Sequence, residues 1–217
     1  MLLRRVAGKR PVFTFSGEHA MRVIRLVLFV AVFLQASGAA TQAAGRDLSY
    51  QAWLGAMTES TVDHVLFRPG GVTFFRSGLV GLALHRRFGP ELETPFGRIN
   101  FEAEAHIVRH FGRQQHWEFN LPIGFRFTAN RPVLGLIDSA AFGIGPSHAT
   151  RPPPVEERRN PSGARTRVYF HIEVARTVGS DPMTQLFLRV HHRSGAWGVV
   201  APAGTSNAVA AGIRRQY

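Results

Sequence analysis

The sequence predicts an all-β chain, an eight-stranded antiparallel barrel of the outer-membrane kind, and three observations predict it. Between Ile99 and Phe127 apolar and polar residues alternate along two long runs. Each exceeds the roughly five or six residues of a soluble strand and matches the roughly nine to eleven that a tilted strand needs to cross a bilayer. A segment with the grammar of a secretory signal, Met21 to Ala44, precedes them, and the chain closes on Ile213-Arg214-Arg215-Gln216-Tyr217, a last strand ending on an aromatic residue.

The signal reads as Arg22 and Arg25, an apolar run from Leu26 to Leu34, then small residues from Ala36 to Ala40, the order a secreted chain requires. The run is far short of the roughly 20 apolar residues of a membrane helix. Residues 1–20 show no periodicity, so Met21 is the expected start, with cleavage between Ala39 and Ala44. Residues 1–44 are therefore set aside as extension and signal peptide, and 45–217 are assigned to one barrel domain. Of the 26 basic and 14 acidic residues, six and one precede residue 45, leaving 20 against 13. Lys9 is the only lysine, so the remaining positive charge is arginine, whose planar fork suits phosphate and carboxylate. No basic run with interleaved aromatics and no helix-turn-helix or zinc signature is present, which argues against nucleic acid. With no cysteine, disulfides, thiolate metal sites and cysteine nucleophiles are excluded. Gly-rich phosphate loops are absent too, and no cofactor is expected.

The strands follow in order. Ser49–Met57 is the first, with weak alternation. Thr58–Arg76, broken at Pro69-Gly70-Gly71, is a long loop with a short extended piece at Val62–Phe67. In Ser77–Phe88, Val80, Leu82 and Leu84 oppose Gly81, Ala83, His85 and Arg87. Phe101, Ala103, Ala105, Ile107 and Phe111 then oppose Asn100, Glu102, Glu104, His106 and His110. Beyond a turn at 112–114, Trp117, Phe119, Leu121, Ile123, Phe125 and Phe127 oppose His116, Glu118, Asn120 and Arg126. Ile137–Ser147, Arg167–Val178, Thr184–Ser194 and Thr205–Tyr217 complete eight, the even number a single-chain bacterial barrel requires.

Alternation by itself fits a soluble barrel as well, with inside and outside exchanged. Strand length, signal and aromatic termini favour the membrane, with the apolar face toward lipid. If both termini are periplasmic, the outward connections are 58–76, 112–114, 148–166 and 195–204, and the periplasmic ones 89–98, 128–136 and 179–183. The segment 148–166, with Pro152-Pro153-Pro154 and Glu156-Glu157-Arg158-Arg159, is expected to be an exposed flap. Glu102, Glu104, His106, His110, His116 and Glu118 share one face of two neighbouring strands. That set could ligate a metal or fill the lumen with hydrogen bonds; the second is expected, and no metal.

The seventh strand carries the candidate chemistry. Leu186, Leu188, Val190, His192 and Ser194 line one face, and Phe187, Arg189, His191 and Arg193 the other. A hydroxyl and an imidazole thus end a lipid-facing stripe at the outer rim, just before Trp197. His192-Arg193-Ser194 resembles the His-x-Ser motif of the lipid A 3-O-deacylase family, eight-stranded outer-membrane barrels with that motif on the outer wall. The resemblance implies an outer-membrane esterase that meets lipopolysaccharide among the outer-membrane lipids and removes an ester-linked acyl chain from lipid A. It assigns Ser194 as nucleophile and His192 as base. The family follows its serine with asparagine, where this chain has Gly195, and supplies a downstream glutamate; here no carboxylate follows Asp181. Parity with Val209, Ala211, Ile213 and Tyr217 puts Asn207 on the His192 face, and an asparagine can hold an imidazole in the required tautomer. Arginines of the flap, Arg158, Arg159 and Arg165, are the candidates for lipid A phosphates. The second reading is a catalytically silent barrel with a structural or binding role; oligomeric state is open.

Overall fold

A computed structural model describes residues 47–158, 161–179 and 181–217. The signal expected in 1–44 lies outside the described residues. Nine strands form: β1 (Leu48–Thr58), β2 (Phe74–Thr94), β3 (Gly97–Gly112), β4 (Trp117–Asn120), β5 (Ile123–Val133), β6 (Ile137–Ala149), β7 (Thr166–Val178), β8 (Asp181–Ser194) and β9 (Thr205–Gln216). All pairings are antiparallel, and the ladder runs from β1 through β2, β3, the β4 and β5 pair, β6, β7, β8 and β9 back to β1.

β4 and β5 are one stave in two pieces. Both pair with β3 on one side and β6 on the other, and Leu121-Pro122 separates them. Proline has no N–H to give the ladder. The neighbours adjust: Leu121 N–H donates to Pro146 O at 3.1 Å, and Pro122 O accepts from Glu104 N–H at 2.9 Å. Gly145 makes the approach possible, because a Cβ there would lie 2.2 Å from Leu121 O. Eight staves therefore close the barrel.

The faces are the predicted ones. Glu102, Glu104, His106, His110, Glu118 and Arg126 are buried in the interior, while Leu84, Ile107, Trp117, Phe119, Ile123, Phe125, Ile144, Leu186 and Leu188 are 40–59% exposed on the outside. So large an uncovered apolar belt is foreign to a soluble monomer and is what a barrel presents to hydrocarbon. No described helix is long and apolar enough to cross a membrane. Phe119→Arg, placed in the belt, should cost about 2–4 kcal/mol if it lies at the bilayer midplane. Urea-dependent folding into lipid vesicles measures this, and no change would put Phe119 outside the hydrocarbon.

The interior combines an apolar layer with a buried ion-paired one. Trp53, Met57, Leu79, Ala83, Val108, Ala175, Phe187, Ala208 and Ala210 form an apolar layer, and the Arg189 guanidinium lies 4.8 Å from the Trp53 ring centre. Beside it, Glu102 accepts from Arg126 and Arg214, the latter at 2.5 and 3.0 Å. Glu173 accepts from Arg126 at 2.8 Å, from Arg189 at 2.6 Å and from Gln51 at 3.1 Å. A charge without a partner here would cost several kcal/mol, so pairing is a condition of folding.

Three expectations need correction. The piece Val62–Phe67 is not extended but a short helix, α1, which lies beside β8 and buries Val65. The turns at one end are tighter than predicted: β2 runs to Thr94 and β3 begins at Gly97, and β5 and β6 are separated by residues 134–136. Residues 89–94, 97–98 and 128–133 are therefore strand, extending beyond the alternating core of each stave. Finally, the segment 148–166 is not simply an exposed flap. Pro154–Glu157 forms a helical turn, α2, and Glu156 is 1% exposed.

Candidate functional site

The long connections, including 59–73, 150–165 and 195–204, gather at one end of the barrel, where β8 delivers His192 and Ser194. The β8–β9 register sets His192 opposite Asn207, Arg193 opposite Ser206 and Ser194 opposite Thr205. Alternate side chains share a face, so parity brings His192 and Asn207 together on the outer wall. His192 Nδ1 lies 2.6 Å from Asn207 Oδ1. Asn207 Nδ2 donates to the Ser60 carbonyl at 2.9 Å, which fixes the amide orientation. Its oxygen then faces the ring, so Nδ1 carries the proton and Nε2 keeps its lone pair.

Although both residues face outward, His192 is 6% and Asn207 4% exposed. The chain at 59–65 covers them: Ser60 caps Asn207, and α1 lies against β8. Phe170, the cross-strand partner of His192, stacks under the imidazole with ring centres 4.3 Å apart. Ser194 is half-buried, and among the described residues its hydroxyl is not hydrogen-bonded to His192. Gly195, whose amide is a candidate oxyanion donor, packs against the Ala201 and Pro202 carbonyls.

Behind this wall the interior is closed by α2. Glu156 accepts from Arg193 at 2.7 and 2.9 Å and from Ser206 at 2.7 Å, and lies 2.6 Å from Arg167 Nε. Burial pushes the Glu156 carboxyl up, against the pull of Arg193, Ser206 and Arg167. Arg193, between the two site residues, thus anchors the mouth from inside, and Arg189 also points inward, as its parity predicted. A cleft of about 280 Å³ opens beside Asn207, lined among others by Thr58, Ser60, Glu156, Arg158 and Gly204. Arg158 pairs with Glu59 at 3.3 Å, Arg165 is exposed, and Arg159 lies outside the described residues.

No protein-family model matches this sequence, and no curated protein matches it at a significant level. Among solved structures, the outer membrane enzyme PagL is similar with a TM-score of 0.54 at 13% identity, over 77% of this chain and 98% of PagL. Neisserial surface protein A (NspA) gives 0.43 at 12% identity, over 78% and 97%. The outer membrane protein OprG from Pseudomonas aeruginosa gives 0.33 at 7%, over 79% and 95%. The likeness to PagL speaks for the fold alone, and the looser two add no argument. The chain has the fold of an outer-membrane β-barrel.

Sequence reasoning missed three parts of the site. Ser60, Phe170 and Glu156 come from segments distant along the chain, and no local signal marks them. Phe170 was legible only as one apolar residue in an alternating strand; its place under His192 is a matter of register. Glu156 sits in a polar run that composition assigns to solvent.

Proposed function

We propose that the barrel is an outer-membrane esterase that removes an ester-linked acyl chain from lipid A, with Ser194 as nucleophile, His192 as general base and Asn207 orienting the ring. The carrying observation is the chain from Ser60 O through the Asn207 amide to His192 Nδ1, which leaves Nε2 as the basic nitrogen of a buried pair on the outer side of β8. The resemblance of His192-Arg193-Ser194 to the deacylase motif and a fold shared with an outer-membrane enzyme support the same chemistry.

In that reaction Ser194 Oγ attacks the ester carbonyl carbon while His192 takes its proton. The tetrahedral intermediate collapses, the acyl carbon–oxygen bond breaks, and the alcohol leaves with the proton from His192. Water then attacks the acyl-serine, gives a proton to His192, and restores Ser194 as the fatty acid departs. In this reading exposed Arg165 and Arg158 at the cleft are the side chains that would meet phosphate. The experiment is mass spectrometry of lipid A from cells producing the wild type or Ser194→Ala. The wild type should lack one ester-linked chain that the variant keeps; an unchanged profile with folded wild-type protein overturns the proposal.

Two observations favour the second reading, a catalytically silent barrel. An amide stands where a carboxylate would stabilise the imidazolium, and among the described residues no hydrogen bond joins Ser194 to His192. That reading expects identical lipid A from both strains.

A further inference from the structure

Among the described residues, five glutamates and five arginines are buried: Glu102, Glu104, Glu118, Glu156 and Glu173 against Arg126, Arg167, Arg189, Arg193 and Arg214. Three of the glutamates take two arginines each: Glu102 from Arg126 and Arg214, Glu173 from Arg126 and Arg189, Glu156 from Arg193 and Arg167. The other two are surrounded by imidazoles. Glu104 has His106 at 2.7 Å, His85 at 3.5 Å and His171 at 3.6 Å. Glu118 has His110 at 2.9 Å and His191 at 3.0 Å. Its only arginine within reach, Arg193, stands 4.0 Å away through Nε, which is committed to Ser147 at 2.6 Å.

Glu118 therefore lacks the pair of guanidiniums that Glu102, Glu156 and Glu173 each hold. The orientation of the groups adds a second reason. His191 Nε2 and Glu118 Oε1 lie 3.0 Å apart, yet both are buried without a hydrogen-bond partner. His110 Nε2, by contrast, is hydrogen-bonded to Glu118 Oε2 at 2.9 Å. One ligand atom each from His110, Glu118 and His191 lies within 4.8 Å of the others, compatible with metal–ligand bonds of about 2.0–2.2 Å. His116, stacked on His110 with ring centres 4.2 Å apart, has both ring nitrogens buried without a partner and stands next to the set. The Glu104 cluster meets the same distance limit, but its His85 is equally close, at 3.5 Å, to Glu102, which already holds two arginines. The Glu118 cluster is the isolated one.

We propose that His110, Glu118 and His191 bind one divalent transition-metal ion, of the zinc or cobalt type, inside the barrel near its loop-bearing end. Two imidazoles and a carboxylate from β3, β4 and β8 form a donor set that such ions favour over calcium or magnesium. The ion ties the staves of β3, β4 and β8 together below α2. This departs from the expectation that the histidines only fill the lumen, and it is independent of the esterase chemistry on the outer wall.

The test uses the full barrel, folded in detergent, stripped by chelator and titrated with Co²⁺ alone. Wild type should take up one equivalent with the visible absorption of low-coordinate cobalt, and Zn²⁺ should displace it. His191→Ala and Glu118→Gln should weaken binding more than about a hundredfold, beyond the 10–100-fold typical of losing an outer-shell partner. His106→Ala, in the other cluster, should leave it unchanged. Absence of cobalt binding by the wild type overturns the proposal, as does binding that survives in folded His191→Ala or disappears equally in folded His106→Ala. Should the His191 and Glu118 variants fail to fold, X-ray absorption of zinc-loaded His106→Ala, in which the other cluster has lost a ligand, decides: two imidazole nitrogens and a carboxylate oxygen support the site, and a shell of oxygens alone removes it.

Discussion

Glu173→Ala should destabilise the folded barrel by about 3–5 kcal/mol, the range for breaking a buried ion pair by deleting one partner. Glu173 is fully buried and accepts from Arg126, Arg189 and Gln51, so its removal takes from Arg189 the one anion that it bonds among the described residues and leaves Arg126 only Glu102. Arg189 would keep its bond to Gln51 at 2.5 Å and Arg126 its bond to Glu102, but neither replaces the shared charge. Equilibrium unfolding by urea in lipid vesicles, followed by tryptophan fluorescence, gives the number. A loss below about 1 kcal/mol, the scale of an exposed pair, would mean that water solvates the lumen arginines and that the network does not hold the barrel closed.

The second large effect is expected at Asn207, on the proposed chemistry. Asn207→Leu removes the acceptor that fixes the His192 tautomer, and a misplaced imidazole proton can cost about 10⁴ in turnover in a serine hydrolase. Acyl release from lipid A by the purified barrel should therefore fall by roughly two to four orders of magnitude while Ser194 remains intact; an unchanged rate would show that Asn207 does not orient the ring. Asn207→Asp separates the two jobs of the amide. It supplies the anion that stabilises imidazolium, but it sets a carboxylate oxygen where Nδ2 now donates to Ser60 O at 2.9 Å. Faster acyl release, accompanied by faster proteolysis within residues 59–73, is the expected pair of results. Faster release with an equally protected loop would mean that Ser60 does not depend on this bond.

What the chain determined by itself was the division of its residues between two environments. Alternation is a local property of extended backbone, so Phe119 outward and Glu118 inward, or His192 outward and Arg193 inward, followed from position parity in each strand. Strand count and the site of the long connections followed in the same way, because proline, glycine and polar clusters interrupt the alternation wherever the backbone must turn. Parity even placed Asn207 on the His192 face. The tertiary structure decided everything that depends on which strand lies beside which and at what offset. Only the β8–β9 register sets Asn207 directly opposite His192, and only closure brings Glu173 of β7 to Gln51 of β1. For Val62–Phe67 the extended expectation gives way to a helix because six residues carry too short a pattern to separate the two. Glu156 was assigned to solvent because a polar residue in a proline-rich run gives no sign of a partner. Its partners, Arg193, Arg167 and Ser206, belong to three other strands, and their charge and hydrogen bonds meet it only when the barrel mouth has formed.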